Sequence, residues 1–167
     1  YWKYCLIIVS IVLVFFVPCT AQTFITAGNV SGEWKLANSP YKILGEITIP
    51  NNETLTIEPG VNIIFLGHYK LNVQGSLLAV GTQEDSIKFT ADNIETGWHG
   101  IRFNQTPSTN DTSKLIYCTF MYGKANTGAY SGFDRCGGAI FIKGFSKVLI
   151  SNSLFQSNMN EGNIAAA

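Results

Sequence analysis

Residues 46–89 read EITIPNNETLTIEPGVNIIFLGHYKLNVQGSLLAVGTQEDSIKF. Apolar and polar residues alternate through Glu46-Ile47-Thr48-Ile49, Thr54-Leu55-Thr56-Ile57, Val61-Asn62-Ile63-Ile64-Phe65, Lys70-Leu71-Asn72-Val73 and Ser86-Ile87-Lys88-Phe89, the period of two expected of strands with one buried face. The runs are short and the turns between them, such as Glu58-Pro59-Gly60 and Gln74-Gly75, are tight, which an ordinary β-sandwich would not want. The runs also recur. Residues 61–65 align with 85–89 at an offset of 24, residues 46–49 with 70–73 at 24, and residues 54–57 with 77–80 at 23. Three strands returning in the same order at nearly one spacing predict an all-β solenoid, with about 23–24 residues in each coil.

Working outward, strand-like runs continue at Trp98-His99-Gly100-Ile101-Arg102-Phe103, Leu115-Ile116-Tyr117-Cys118-Thr119-Phe120, Ala139-Ile140-Phe141-Ile142 and Val148-Leu149-Ile150. Polar insertions at 104–113 and 123–136 separate them, as a solenoid allows when a loop leaves one corner of the stack. Coils are expected over residues 43–167, and residues 22–42, with Trp34 and Tyr41, are expected to cap the open end. Pro59 sets φ before a corner, Gly60, Gly75 and Gly81 are expected to supply positive φ, and Ile57, Phe65, Val73 and Phe89 should share one interior.

The chain has 167 residues, room for about one domain. Lysine and arginine number 11 and aspartate and glutamate 11, so no basic footprint marks a nucleic-acid partner. With 46% hydrophobic residues the chain can bury enough surface to fold. Cys5 to Val17 is an apolar run of 13 residues broken only by Ser10, preceded by Lys3 and followed by Pro18-Cys19-Thr20-Ala21. As a helix it would span roughly 20 Å against a bilayer core of about 30 Å, and its basic start and small-residue end describe a secretory signal over residues 1–21 with Gln22 as the mature start. The chain is therefore expected to be secreted or displayed at the cell surface. Tyr1 at the start and Asn163-Ile164-Ala165-Ala166-Ala167 at the end suggest a piece of a longer reading frame.

Export leaves Cys118 and Cys136 in the mature chain. They either form one disulfide or lie as two buried, small apolar side chains, and the spacing does not choose between these. No CxxC pair or Cys/His cluster suggests zinc, and no cofactor or metal is expected.

Leu55-Thr56-Ile57-Glu58-Pro59-Gly60-Val61, Leu71-Asn72-Val73-Gln74-Gly75-Ser76-Leu77-Leu78-Ala79-Val80-Gly81-Thr82, Ile87-Lys88-Phe89-Thr90 and Gly97-Trp98-His99-Gly100-Ile101 resemble the opening coils of secreted bacterial right-handed parallel β-helix repeat proteins. Gly137-Gly138-Ala139-Ile140, with Ser151-Asn152-Ser153-Leu154-Phe155 after it, is similar to the GGAI repeat of polymorphic outer-membrane and adhesin-like proteins. The resemblance covers residues 43–158 and implies a right-handed parallel β-helix on a long surface protein. Its motif residues turn corners and fill the interior, so it implies no activity of its own. Asn152 and Asn158 are candidates for an asparagine ladder at a turn.

Pectin-cleaving lyases and polygalacturonases share that fold, so an N-terminal part of a carbohydrate-active enzyme is the alternative to a scaffold. The acid candidates are Glu84-Asp85, Asp92 with Glu95, and Asp134-Arg135, none arranged as paired carboxylates, and the Asn-Thr-Asp, Asp-Asp and Gly-His-Gly blocks of polygalacturonases are missing. His99 reads as a solvent-facing strand residue, His68 as a turn residue, and Trp98 as a core filler more than a sugar platform. Sequons at Asn29, Asn52, Asn104 and Asn110 are assigned no function. The expectation is an exported, adhesin-like scaffold without catalysis in this segment and with a glycan or surface protein as partner. The two insertions are either solvated spacers or the seat of recognition; in the second case they are expected to share one side, with Tyr130, Phe133 and Arg135 as contact residues.

Overall fold

Short β-branched runs bounded by Gly, Pro and Asn fold into eighteen strands among the residues that the computed structural model describes, 22–126 and 133–160. The expected signal over residues 1–21 and Tyr130 lie outside them. Strands follow in threes, each triplet placing one strand in sheets A, B and C in turn. The triplets, here called rungs, are β1 (Thr23–Ile25), β2 (Gly28–Asn29) and β3 (Gly32–Trp34); β4 (Tyr41–Ile43), β5 (Ile47–Ile49) and β6 (Thr54–Ile57); β7 (Asn62–Phe65), β8 (Leu71–Val73) and β9 (Ser76–Val80); and β10 (Ile87–Ala91), β11 (Ile101–Asn104) and β12 (Ser113–Ile116). A fifth rung has β13 (Cys118–Met121), β15 (Ile140–Lys143) and β16 (Val148–Ser151), with the short β14 (Lys124–Ala125) between them; β17 (Leu154–Gln156) and β18 (Met159–Asn160) begin a sixth. Sheet A runs β1-β4-β7-β10-β13-β17, sheet B β2-β5-β8-β11-β15, sheet C β3-β6-β9-β12-β16, and β14 pairs with β18. Every pairing is parallel. The chain is all-β, with parallel sheets stacked in register, consistent with a parallel β-helix.

Inward positions form one continuous core. Ile57, Phe65, Val73 and Phe89 are all buried in it, as the alternation requires. Phe89 pairs with Phe120 and Phe120 with Phe155, and these rings stack at 5.1 and 4.9 Å. Trp98 lies face to face with Phe65 at 4.4 Å and donates its Nε1–H to the Met121 carbonyl at 2.8 Å. Both faces of the indole's chemistry are thereby used, which makes Trp98 a core residue, with no exposed surface for a sugar.

The register corrects two of the three sequence alignments. Ile47 pairs with Leu71 and Ile49 with Val73, the expected offset of 24. Phe65 pairs with Ala91 and Ile63 with Phe89, an offset of 26 where 24 was expected. A slip of two keeps the same face inward, and the small Ala91 leaves room for the Trp98 ring on Phe65. Leu55 pairs with Leu77, an offset of 22 where 23 was expected. An odd shift would have turned Leu55 against an outward neighbour, so the even offset is the one that keeps both leucines buried.

The first rung starts at Thr23, inside the segment expected to be a cap. Its strands escape the alternation pattern because Gly28 and Gly32, paired with Ile47 and Leu55, have no side chain to turn inward. Trp34 instead stacks flat on Tyr41 at 4.6 Å and is itself buried. Among the corner glycines, Gly60 has φ +79° as expected, whereas Gly75 and Gly81 are not in the left-handed region. Gly75 is required by proximity: a Cβ there would run into the Pro50 and Glu53 carbonyl oxygens of the rung below. Asn158 fills its turn by accepting from the Gly123 N–H at 2.8 Å and donating to the Phe120 carbonyl at 2.9 Å, bonds to backbone in place of an amide ladder.

Two stability outcomes follow from this stacking. Phe89→Ala, removing a ring with no exposed surface from the aromatic column, should cost about 3–5 kcal/mol in denaturant unfolding. Gly75→Ala should be destabilising by a similar measurement, whereas Gly→Ala at a site chosen only for chain entropy would stabilise by about 0.4–1 kcal/mol.

Candidate functional site

Alternation within sheet B determines which side chains reach its outer face. Ile47, Ile49, Leu71, Val73, Ile101 and Phe103 point inward and are buried. Thr48, Asn72 and Arg102 lie between them and point outward, and the register sets them in one row: Thr48 beside Asn72, Asn72 beside Arg102, Arg102 beside Phe141. Asn72 Nδ2 donates to Thr48 Oγ1 at 3.4 Å. An arginine at such a position would ordinarily be solvated. Arg102 is only 3% exposed because the chain folds back over sheet B in a 3-10 turn at Phe133–Arg135.

The guanidinium is held mainly by neutral groups. Arg102 Nε donates to the His99 carbonyl at 3.0 Å, and Nη1 donates to the Cys136 carbonyl and, at 3.5 Å, to the Phe133 carbonyl. Its carbon lies 5.5 Å from the centre of the Phe141 ring. Nη2 is buried without a hydrogen-bond partner. Among the described residues no carboxylate comes within ion-pair distance of Arg102. Burial pushes its pKa down, opposed by the charge of Asp134.

Around this arginine lie two further charged systems. Lys70 Nζ is 3.8 Å from Glu46 Oε1 and 3.7 Å from Asp134 Oδ1, tying the turn to sheet B. Lys143 Nζ sits 3.5 Å above the Phe133 ring, which in turn lies 5.6 Å from Phe141. A cavity of about 50 Å³ remains between sheet and turn, lined in part by Lys70, Asn72, Arg102, Asn104, Asp134 and Phe141.

His99 also belongs to this site, and its expected solvent-facing position is corrected. It is 3% exposed, lies beneath the same turn and stacks on His68 at 4.8 Å. Its Nε2 is 2.7 Å from the Asp134 carbonyl, and His68 Nε2 is 2.7 Å from the Lys124 carbonyl. A carbonyl oxygen can only accept, so in both rings Nε2 carries the hydrogen. Desolvation, with the Arg102 and His68 charges adding to it, lowers the His99 pKa from 6.5 to about 4, and the bond to the Asp134 carbonyl opposes the shift. His99 is therefore a neutral donor at pH 7.

Of the expected contact residues, Phe133 and Arg135 lie on the covering turn, Phe133 45% exposed and Arg135 half-buried. Neither thiol is bridged. Cys118 is interior on sheet A, where its thiol donates to the Ala79 carbonyl at 3.4 Å and burial raises its pKa to about 12; Cys136 follows the turn outside sheet B. The two insertions do not share a corner. Residues 104–113 run from sheet B to sheet C, and residues 123–136 from sheet A to sheet B. The former is fastened down: Asn110, 5% exposed, donates to Asn51 Oδ1 at 2.9 Å and the Gln74 carbonyl at 2.8 Å, and its Oδ1 accepts from the Asn52 N–H at 2.9 Å. Its amide is engaged, so the Asn110 sequon is closed in the folded state.

Sequence reasoning passed over Arg102, Lys70 and Asn72. The alternation of Ile101-Arg102-Phe103 announces an outward arginine, but nothing in it announces the turn more than thirty residues later that covers it.

The His99 environment makes stability depend on pH. Unfolded, His99 titrates near 6.5; folded, near 4; between these values the unfolded chain holds more protons. Stability should thus decline as pH drops from about 6.5 to about 4. Comparing denaturant midpoints at neutral pH and in that window, His99→Gln should show a smaller decline than the native chain, and an identical decline would assign the pH dependence to other groups. No protein-family model, curated protein or solved structure matches this chain in the comparisons made with its sequence and its fold.

Proposed function

We propose that this chain is an exported right-handed parallel β-helix that serves as a rigid, adhesin-like scaffold at the cell surface, displaying its recognition surface on the outer face of sheet B and the turn above it. One observation carries the reading. The spacing between paired residues grows from 22 at Leu55 and Leu77 to 39 at Ile101 and Ile140, yet the inward residues stay paired throughout. The stack thus accepts long insertions without losing register, which is what a display scaffold requires. A right-handed crossover between parallel strands is the sense that strand twist favours. The exposed Phe133 with Lys143 on its face, and Arg135 beside it, supply the aromatic and cationic chemistry that binding surfaces favour.

Replacing residues 127–132 with a Gly-Ser segment of equal length, together with Phe133→Ser, leaves β14, Asp134 and the Arg102 contacts in the sequence. The circular dichroism spectrum and melting should be retained while attachment to cells, glycans or matrix is lost. Retained attachment would sink the reading. For export, mass spectrometry of the secreted product should find its N-terminus at or near Gln22.

A further inference from the structure

A buried guanidinium with an unused N–H group is costly, since charge taken from water must be repaid by charge or by full hydrogen bonding. Arg102 meets neither condition. Its three acceptors are backbone carbonyls, its Nη2 has no partner, and the cavity beside it is lined by a second cation, two side-chain amides and the Asp134 carboxylate that Lys70 pairs with. We infer that this cavity, between the outer face of sheet B and the Phe133–Arg135 turn, binds a carboxylate group, with the Arg102 guanidinium as its principal donor and Lys70, Asn72 and Asn104 around it.

Charge and size both select this class. Of the charged side chains that line the cavity, Arg102 and Lys70 stand against Asp134, leaving a surplus of one positive charge. Lys70 is paired with Asp134 at 3.7 Å, so within the lining the surplus belongs to Arg102. One negative charge balances it; a doubly charged phosphate would overshoot beside Asp134. The cavity of about 50 Å³ exceeds the roughly 10–15 Å³ that one water needs, and a planar three-atom group can use a guanidinium edge as water cannot. Asn104 and Asp134 are exposed at its rim, so the carboxylate can come from a small free acid or from a larger acidic ligand reaching in. The inference goes beyond surface display and holds whether or not the chain attaches to anything.

The test is a titration of the purified chain with sodium acetate, and separately with sodium glucuronate, each against sodium chloride at equal ionic strength. Binding is followed by the NMR signals of the Arg102 Nε–H, the Asn72 side-chain amide and the Asp134 backbone amide. Saturable shifts with at least one acid and none with chloride are expected. Binding of both acids identifies a pocket for the carboxylate of a larger ligand, and binding of acetate alone one for a small acid. Arg102→Gln, read at Asn72 and Asp134, should weaken binding about tenfold or more, the effect of losing one charged hydrogen bond. If that variant fails to fold, Asn72→Leu, on the outer face and clear of the core, is read at Arg102 and Asp134 and should weaken binding by filling the cavity. Absence of saturable shifts would mean that the cavity holds water only and would overturn the inference, as would equal shifts with chloride or unchanged affinity in the folded variant.

Discussion

The parallel backbone ladder is the constraint from which the rest of this structure follows. Once Ile47 is hydrogen-bonded in register with Leu71, and Leu71 with Ile101, every residue on sheet B has its face assigned, because the side-chain period is two and any odd slip would reverse it. The same ladder brings like side chains together one strand spacing apart, about 4.8 Å. The ring separations of 5.1 Å for Phe89 and Phe120 and 4.9 Å for Phe120 and Phe155 are that spacing expressed in side chains. Core stacking and backbone pairing therefore reinforce each other at every rung.

This geometry also explains how chemistry can be added to a repetitive scaffold. Outward positions of successive rungs form rows, and a row becomes a site only when something covers it. Thr48 and Asn72 begin such a row with ordinary polar contact. At Arg102 the connection between β14 and β15 turns back, excluding water from a cation and from His99 and fastening itself through Asp134 to Lys70. The connection between β11 and β12 behaves differently. Asn110 and Thr106 attach it to the rung below through backbone carbonyls, with Thr106 Oγ1 2.5 Å from the Val73 carbonyl, so it serves as a buttress. Two insertions of similar polar composition thus have different roles, decided by what they reach.

Much of the stack was legible in the residues. Alternation identified β5, β6, β7, β8 and β10 and assigned Ile57, Phe65, Val73 and Phe89 to one interior, because burying one face of a strand forces that period on its sequence. The register of sheet A was misjudged by two residues, since a shift of two preserves every face and the deciding factor, the Trp98 ring over Phe65, comes from a different element. The first rung was missed because Gly28 and Gly32 carry no side chain that could alternate.

The sequence by itself determined the all-β repeat class, the inward residues of β5 to β8 and β10 and the stretches that interrupt the strands, all of which are local consequences of strand period and turn chemistry. Only the tertiary structure decided the site. Whether Arg102 and His99 would be solvated or buried depended on where residues 133–136 came to rest, a contact made across more than thirty positions. Local pattern carries no information about such a contact, because the outward face of a strand is polar whether it is wet or covered.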